Sequence, residues 1–324
     1  MPDEHREEYT MNEITTRTTT ELECTWSADL FSDYLRYIGD VKESTLRTYQ
    51  RSLRIFAQYL LDNNITAPTR DTIIQFKNHL TETGHKATTV QNYLCGIRLF
   101  FEWAELQGCY PNIARRVKGD KVSRDHKRNC LTEDQIRTVL SSIDRNTVTG
   151  KRDYSLVALA VTAGLRTIEL SLATVGDLDA VGGHTVLWIR GKGHVDADDY
   201  VKVEPAVEWP LRDYLTARGH ADADEPLFMS TSHRTAGSME AMTTRSISRI
   251  IKDRFKAVGL DSDRLTAHSL RHTAVTLSIL NGETMQATQQ FARHANISTT
   301  QLYFHEVEKI NNTCGATVAA SIFR

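Results

Sequence analysis

The sequence predicts a mainly α-helical protein built from two domains. From Trp26 onward, apolar residues recur at three- and four-residue steps through most of the chain, which is typical of helices with one buried face. Only two short segments, both in the second half, have the composition of β-strands. A basic stretch at residues 111–130 separates the two halves. We therefore expect a small helical domain and a larger, mostly helical domain that contains one small β-hairpin.

Composition excludes several classes of protein. The chain has 324 residues, of which 40% are hydrophobic and 25% are charged, so wholesale disorder is not expected. No apolar run approaches the roughly 18 residues that a membrane helix needs, which predicts a cytoplasmic protein. The cysteines form no C-x-x-C pair, which argues against a zinc knuckle and a disulfide framework.

The first domain is predicted at residues 24–110, after a flexible acidic tail at residues 1–23. Four amphipathic helices fit into this range. One of them has Ser44 as its predicted cap, and another runs from Thr69 to a stop at Gly84. Four such helices form a small all-helical domain.

The overall charge hides a basic segment. The formal net charge is −2, yet residues 24–130 carry sixteen basic and eleven acidic side chains. All of this excess lies within the predicted linker, residues 111–130. Such a run is often only a solvated linker, and it can also follow the phosphates of DNA. Its basic residues are Arg115, Arg116, Lys118, Lys121, Arg124, Lys127 and Arg128.

The second domain is predicted at residues 131–310, with Thr132 as the cap of its first helix. Its predicted strands are residues 185–190 and 200–203, with a turn around Lys192 between them. A tail at residues 311–324 ends in a short apolar patch. A basic helix at residues 243–258 is a second candidate for DNA contacts, through Arg245, Arg249 and Lys252.

Two fragments of this domain carry paired polar residues that suit a phosphate. Arg166 follows a turn at Gly164, and its guanidinium fork can hold two phosphate oxygens while Glu169 orients it. A surface ion pair is the alternative. His268 and Arg271 share one helix face and can form a phosphate clamp. A zinc site at His268 and His272 is the alternative there, although no acidic third ligand accompanies the pair.

Two further fragments are less specific by themselves. His294 precedes Tyr303 by nine residues, and residues 298–300 between them indicate a new helix start. Lys192 is flanked by glycines that let a loop approach a ligand. Considered singly, such a tyrosine or lysine is more often an ordinary structural residue than a catalytic one.

The ordered set of these residues is specific. With the motifs G-L-R-x-x-E-L and H-x-x-R-H intact, the chain resembles the tyrosine recombinase or phage integrase family over about residues 27–310. The resemblance implies the tyrosine recombinase fold, with a helical core-binding domain before the catalytic domain. One departure stands out, because Ala292 and Arg293 occupy positions where the family usually has Leu-Gly. The matching catalytic positions are Arg166, Lys192, His268, Arg271, His294 and Tyr303.

The resemblance implies site-specific cleavage and rejoining of double-stranded DNA without ATP, metal or another cofactor. Tyr303 would attack the scissile phosphate to give a 3′-phosphotyrosine, while Arg166 and Arg271 hold the non-bridging oxygens. His268 would accept the phenolic proton, and Lys192 would protonate the leaving 5′-oxygen.

The remaining residues have supporting roles by the same resemblance. His294 would add a hydrogen bond to the phosphate, and Glu169 and His272 would orient the catalytic groups. Lys202 is the alternative to Lys192. The basic linker would follow DNA phosphates.

The resemblance also implies a homo-tetramer on paired DNA sites, located in the cytoplasm at the nucleoid, with Ile322 and Phe323 docking on a neighbouring subunit. Integration, excision and resolution of DNA elements all remain open as its role. A type IB topoisomerase and a catalytically silent DNA-binding regulator are the competing interpretations. The complete catalytic set favours the recombinase.

Overall fold

The computed structural model describes residues 28–120, 129–190, 197–231 and 240–323. Contacts within the chain divide it into two units, Met1–Arg124 and Asp125–Arg324. The acidic tail at residues 1–23 lies outside the described residues. The same is true of five predicted site residues, which are Lys121, Arg124, Lys127, Arg128 and Lys192.

The described part of the first unit is helical. Its helices are α1 (Ala28–Tyr37), α2 (Glu43–Asp62), α3 (Arg70–Glu82) and α4 (Ala87–Leu106). Their apolar faces meet in one core, in which Phe56 packs edge-on against both Phe76 and Phe101. The predicted start of α3 after Thr69 is confirmed. The predicted Ser44 cap is wrong, because α2 begins at Glu43 and Ser44 already lies within its first turn.

The helical unit extends beyond residue 110, where the sequence analysis ended it. Ala114 and Val117 are buried in the same core as the four helices. The backbone of this segment is also held by α3 and α4. Arg98 Nε donates to the Val117 carbonyl at 3.0 Å, and Arg70 Nη1 donates to the Arg115 carbonyl at 2.5 Å. The first part of the basic stretch is therefore packed against the helical unit.

The second unit is mostly helical with a small sheet. Its elements are α5 (Glu133–Ser141), α6 (Val148–Thr162), α7 (Thr167–Leu172), β1 (Leu178–Val181), β2 (His184–Ile189), β3 (Asp199–Lys202), α8 (Pro205–Arg218), α9 (Thr244–Ala257), α10 (Ala267–Leu280), α11 (Met285–Ala292), α12 (Ile297–Ile310) and α13 (Cys314–Ile322). The predicted cap of α5 is confirmed, since the Thr132 side chain accepts a hydrogen bond from Gln135 N.

The sheet contains one strand more than predicted. Its order is β1-β2-β3, and both pairings are antiparallel. The two predicted strands are confirmed to within one residue as β2 and β3. The additional strand β1 pairs with β2 through a turn at Gly182 and Gly183, whose φ angles are 57° and 80°. A Gly-Gly pair favours such a two-residue hairpin turn, so the sequence did contain a signal for β1.

Helix α6 forms the centre of the second unit. Nearly every position from Ser155 to Val161 is buried, and α6 packs against α8 on one side and α10 on another. After α6, Gly164 turns the chain with φ 57° and leads directly into Arg166 and α7. None of the described helices is both long and apolar enough to cross a membrane.

Candidate active site

Arg166 is held at the start of α7 by Glu169. The Arg166 backbone N–H donates to Glu169 Oε2 at 2.7 Å, and its Nη1 donates to Oε1 at 2.8 Å. Glu169 is almost completely buried, whereas about a third of the Arg166 side chain is exposed. The carboxylate therefore holds both the backbone N–H and one guanidinium nitrogen of Arg166, while part of the side chain stays accessible. The two residues are thus in contact, and the orienting role that the sequence analysis predicted for Glu169 stays a prediction.

Arg271 connects α10 to the two turns on which the other polar residues lie. Its Nη1 donates to the Gly164 carbonyl at 2.6 Å, and its Nη2 donates to the Ala292 carbonyl. Burial, together with the nearby positive charges of Arg166 and Arg293, lowers the pKa of Arg271 to about 10. The guanidinium thus lies in an environment that is short of negative charge.

Tyr303 on α12 points into the unit toward α10. Its hydroxyl lies 2.5 Å from Nδ1 of His272, and both side chains are buried. The ring of His268 packs edge-on against the ring of His272, with 4.7 Å between the ring centroids. The exposed His268 and the buried Tyr303 are therefore connected through His272.

His294 lies beside the same tyrosine. Its Nδ1 is 2.9 Å from the hydroxyl of the fully buried Thr300, and its ring is nearly parallel to that of Tyr303 at 6.1 Å. Helix α12 starts after Asn296, whose side chain accepts a hydrogen bond from Ser298 N. A new helix start between His294 and Tyr303 is confirmed, although α12 begins at Ile297, just before the predicted residues 298–300. The sequence analysis did not identify Thr300, which lies only six residues after the histidine it contacts.

Two of the phosphate-binding candidates, Arg166 and His268, open onto a cavity of about 870 Å³. Arg166 and His268 line one part of it, and the amino-terminal half of α9 lines another. Arg245 and Arg249 both face this cavity from α9. Lys252 lines it as well, but its Nζ donates to the Ser262 carbonyl at 2.6 Å and lies 3.2 Å from Asp261 Oδ1. Lys252, predicted to contact DNA, is thus engaged by its own unit.

The described basic residues of the predicted linker have different surroundings. Arg115 forms an ion pair with Glu105. Arg116 and Lys118 are exposed and line a cavity of about 500 Å³ together with Arg98, which the sequence analysis did not identify as a candidate contact.

The alternative lysine, Lys202, does not line the cavity that Arg166 lines. It pairs with Glu204 at 3.3 Å and lines a separate cavity of about 530 Å³, which Arg293 also lines. No group of three or more potential metal-ligating side chains is found among the described residues, so no third ligand joins His268 and His272 there.

The chain matches known families and proteins over most of its length. Residues 129–309 match the model of the phage integrase family, and residues 28–108 match that of the phage integrase N-terminal SAM-like domain. A tyrosine recombinase of Synechococcus elongatus is 25% identical over 284 residues, covering 84% of this chain and 87% of the relative. Tyrosine recombinase XerD of Listeria monocytogenes is 26% identical over 285 residues, covering 86% and 94%.

Solved structures share the fold. The XerH site-specific recombinase bound to palindromic difH substrate aligns with a TM-score of 0.69 at 19% identity, covering 92% of this chain and 85% of that chain. A lambda integrase dimer bound to a COC′ core site aligns with a TM-score of 0.66 at 18% identity, covering 84% and 96%.

Proposed function

The chain belongs to the phage integrase family and is a site-specific tyrosine recombinase, and we propose that Tyr303 is its nucleophile. Recombinases of this type cleave and rejoin DNA through a 3′-phosphotyrosine intermediate. The observation that carries the assignment is the contact between the Tyr303 hydroxyl and His272 Nδ1, at 2.5 Å, beside His294. A phenol with a pKa of about 10 is a weak nucleophile at neutral pH, so the reaction requires a proton acceptor, and the His272 contact holds Tyr303 beside the helix that carries His268.

The proposed reaction is an in-line displacement at phosphorus. The Tyr303 oxygen forms a bond to the scissile phosphorus, its proton passes to a histidine, and the bond from phosphorus to the 5′-oxygen breaks. We assign the acceptor role to His268 and an orienting role to His272, which holds the hydroxyl in the free chain. The leaving 5′-oxygen needs a proton, which we assign to Lys192, with Lys202 as the alternative.

Arg166 and Arg271 are the proposed phosphate clamp, and His294 adds a further hydrogen bond to the phosphate. The Arg271 guanidinium is held by the Gly164 and Ala292 carbonyls, so it needs little reorganisation when negative charge grows in the transition state, and Arg166 is held by Glu169 in the free chain. Because the phosphotyrosine conserves the energy of the phosphodiester, the reverse attack by a 5′-hydroxyl rejoins the strand without ATP. We propose no metal or cofactor.

The proposed substrate is double-stranded DNA that carries a specific recombination site. Arg245 and Arg249, at the cavity that Arg166 lines, are the proposed phosphate contacts of the second unit. In the first unit the exposed Arg116 and Lys118 are suited to the same role. Arg115 and the basic residues of the linker beyond it, at positions 121–128, remain candidates.

The proposed assembly is a tetramer on two paired sites. Helix α13 carries Val318 and Ile322 on one face and is followed by Phe323, and all three side chains are largely exposed. An apolar helix face of this kind needs a partner surface, for which we propose a neighbouring subunit. We place the protein in the cytoplasm at the nucleoid, acting in integration, excision or resolution of DNA elements.

A covalent-capture experiment tests this function. The purified chain is incubated with a randomised duplex library that carries a nick, and protein–DNA adducts are isolated under denaturing conditions and sequenced. The selected duplex is then used with wild type and Tyr303→Phe. A 3′-linked adduct that forms with wild type and disappears in Tyr303→Phe is the expected result. Sequence-specific binding without any adduct would instead support the catalytically silent regulator.

A further inference from the structure

Arg293 occupies a backbone position that does not suit it. It ends α11 with φ 53° and ψ 47°, the left-handed region in which a Cβ atom is unfavourable and glycine is preferred. An arginine at such a position requires a compensating interaction of its side chain. The residue also directly precedes His294, so its conformation determines how that histidine approaches Tyr303.

The compensating interactions lie across the site. Arg293 Nη2 is 2.9 Å from Glu169 Oε2, and the Arg293 side chain is only 11% exposed. The remaining bonds go to carbonyl groups. Its Nη1 lies 3.3 Å from the Ala163 oxygen, and its Nη2 lies 3.4 Å from the Gly164 oxygen. Arg293 therefore ties the turn before His294 to the turn that carries Arg166.

The carboxylate of Glu169 is shared between two arginines. Oε1 binds Arg166 Nη1 at 2.8 Å, while Oε2 accepts from the Arg166 backbone and from Arg293. Arg271 is close enough for its charge to interact with all three. We call Arg166, Arg271, Arg293 and Glu169 the arginine cluster. The formal net charge of the arginine cluster is +2. Such a charge is unfavourable in a buried environment unless an anion binds.

We propose that Arg293 is a positioning residue that keeps Glu169 paired when Arg166 turns from that carboxylate to the scissile phosphate. Without a second cation, movement of the Arg166 guanidinium would leave the buried Glu169 carboxylate without a positive partner, which costs free energy. Arg293 removes this penalty because it stays buried beside Glu169. Its backbone at the same time fixes the direction of His294. This inference rests on the proposed function and adds a residue to it.

The test compares wild type with Arg293→Gly and Arg293→Lys on the nicked duplex selected by covalent capture. Single-turnover adduct formation is measured at saturating DNA, together with the affinity for the duplex and the melting temperature. Arg293→Gly is expected to slow adduct formation about 10-fold or more, while affinity changes about twofold or less. Its melting temperature should not fall, because glycine relieves the left-handed backbone, Glu169 keeps Arg166 as a partner, and the arginine cluster loses one of its two excess positive charges. Arg293→Lys should recover part of the rate.

Two further variants separate a positioning role from a structural one. In a Glu169→Gln background no carboxylate needs a partner, so Arg293→Gly should slow adduct formation far less than it does in wild type. Asn64→Gly, which changes an exposed left-handed residue in the first unit, is the control and should leave the rate unchanged. This control tests whether the removal of a Cβ atom from a left-handed backbone position alters catalysis by itself.

The outcomes distinguish this inference from the function on which it rests. Equal rates for Arg293→Gly and wild type would overturn the inference alone. The inference would also be overturned if Arg293→Gly slowed adduct formation equally in the wild-type and Glu169→Gln backgrounds. A slower rate that is accompanied by a lower melting temperature would overturn it as well. A wild-type chain that binds the selected duplex without forming any adduct would overturn the proposed function and this inference with it.

Discussion

The hydroxyl of Tyr303 lies 2.5 Å from Nδ1 of His272, and both residues are buried. The exposed His268 reaches this pair only through the His272 ring, against which it packs at 4.7 Å. In the free chain the candidate nucleophile is thus held inside the second unit by a histidine that the sequence analysis considered an orienting residue. Which histidine takes the phenolic proton becomes an experimental question with two distinguishable answers.

Two substitutions of His272 separate orientation from proton transfer. Asparagine can offer a hydrogen-bonding atom near the position of Nδ1, whereas phenylalanine cannot. If His272 only orients Tyr303, His272→Asn should keep most of the adduct-forming rate and His272→Phe should lose about 100-fold. His268→Gln should lose about 10² to 10⁴-fold, because it removes the proposed acceptor. Single-turnover adduct formation measures all three.

The control for this series is His305→Asn, on the exposed face of α12 next to Glu308. It should react like wild type. A His272→Asn variant as slow as His272→Phe, with a normal melting temperature, would instead make His272 the proton acceptor.

Glu169→Gln is expected to destabilise the second unit. Glu169 is 1% exposed and compensates both Arg166 and Arg293, so its neutralisation leaves buried guanidinium groups that repel each other. Removing one partner of a buried ion pair typically costs about 3 kcal/mol or more. Urea unfolding should show a loss of this size. The matched control is Glu133→Gln, whose ion pair with Arg137 is exposed and contributes no more than about 1 kcal/mol. Equal losses in the two variants would contradict the role of Glu169.

The regular elements could be predicted because their signals are local. The three- and four-residue spacing of apolar residues predicted α2 to α4. The Thr132 cap was predictable because capping depends only on residues that are close in sequence. The boundary of the first unit could not be predicted in the same way. Ala114 and Val117 are buried by contacts with residues that are distant in sequence, and no local sequence pattern predicts those contacts.

The sequence predicted which residues belong to the candidate site better than it predicted which of them contact one another. The spacing of His268 and Arg271 on one helix, and of His294 and Tyr303 across a helix start, was visible in the sequence. The partner of each was not. The contact between Tyr303 and His272 requires α10 and α12 to pack together, and this depends on the tertiary structure.

Arg249→Ala and Lys252→Ala should affect DNA binding differently. Arg249 faces the cavity, whereas Lys252 is held by Ser262 and Asp261. Each phosphate contact contributes about 0.9 to the slope of log affinity against log salt concentration. Arg249→Ala should reduce this slope by about that amount. Lys252→Ala should leave the slope unchanged and lower the melting temperature. The salt dependence of the affinity for the selected duplex measures the difference. A reduced slope for Lys252→Ala would show that Lys252 contacts a DNA phosphate.

Deleting residues 312–324 should abolish assembly on paired sites while sparing the chemistry. No described residue of α13 is buried, so the fold should not depend on it. Burying Val318, Ile322 and Phe323 against a neighbouring subunit would contribute about 1.5–3 kcal/mol for each side chain, enough to decide whether subunits associate.

Light scattering of the protein with the selected duplex measures this assembly, and the capture assay measures cleavage at a single site. A variant with Ile322→Ser and Phe323→Ser, which keeps the helix and removes most of its apolar end, should behave like the deletion. The complementary control is Glu308→Gln, in the exposed last part of α12, which should assemble like wild type. If the deletion variant still forms paired-site complexes of the wild-type mass, α13 is not the contact between subunits, and the proposed tetramer would have to be held by other surfaces.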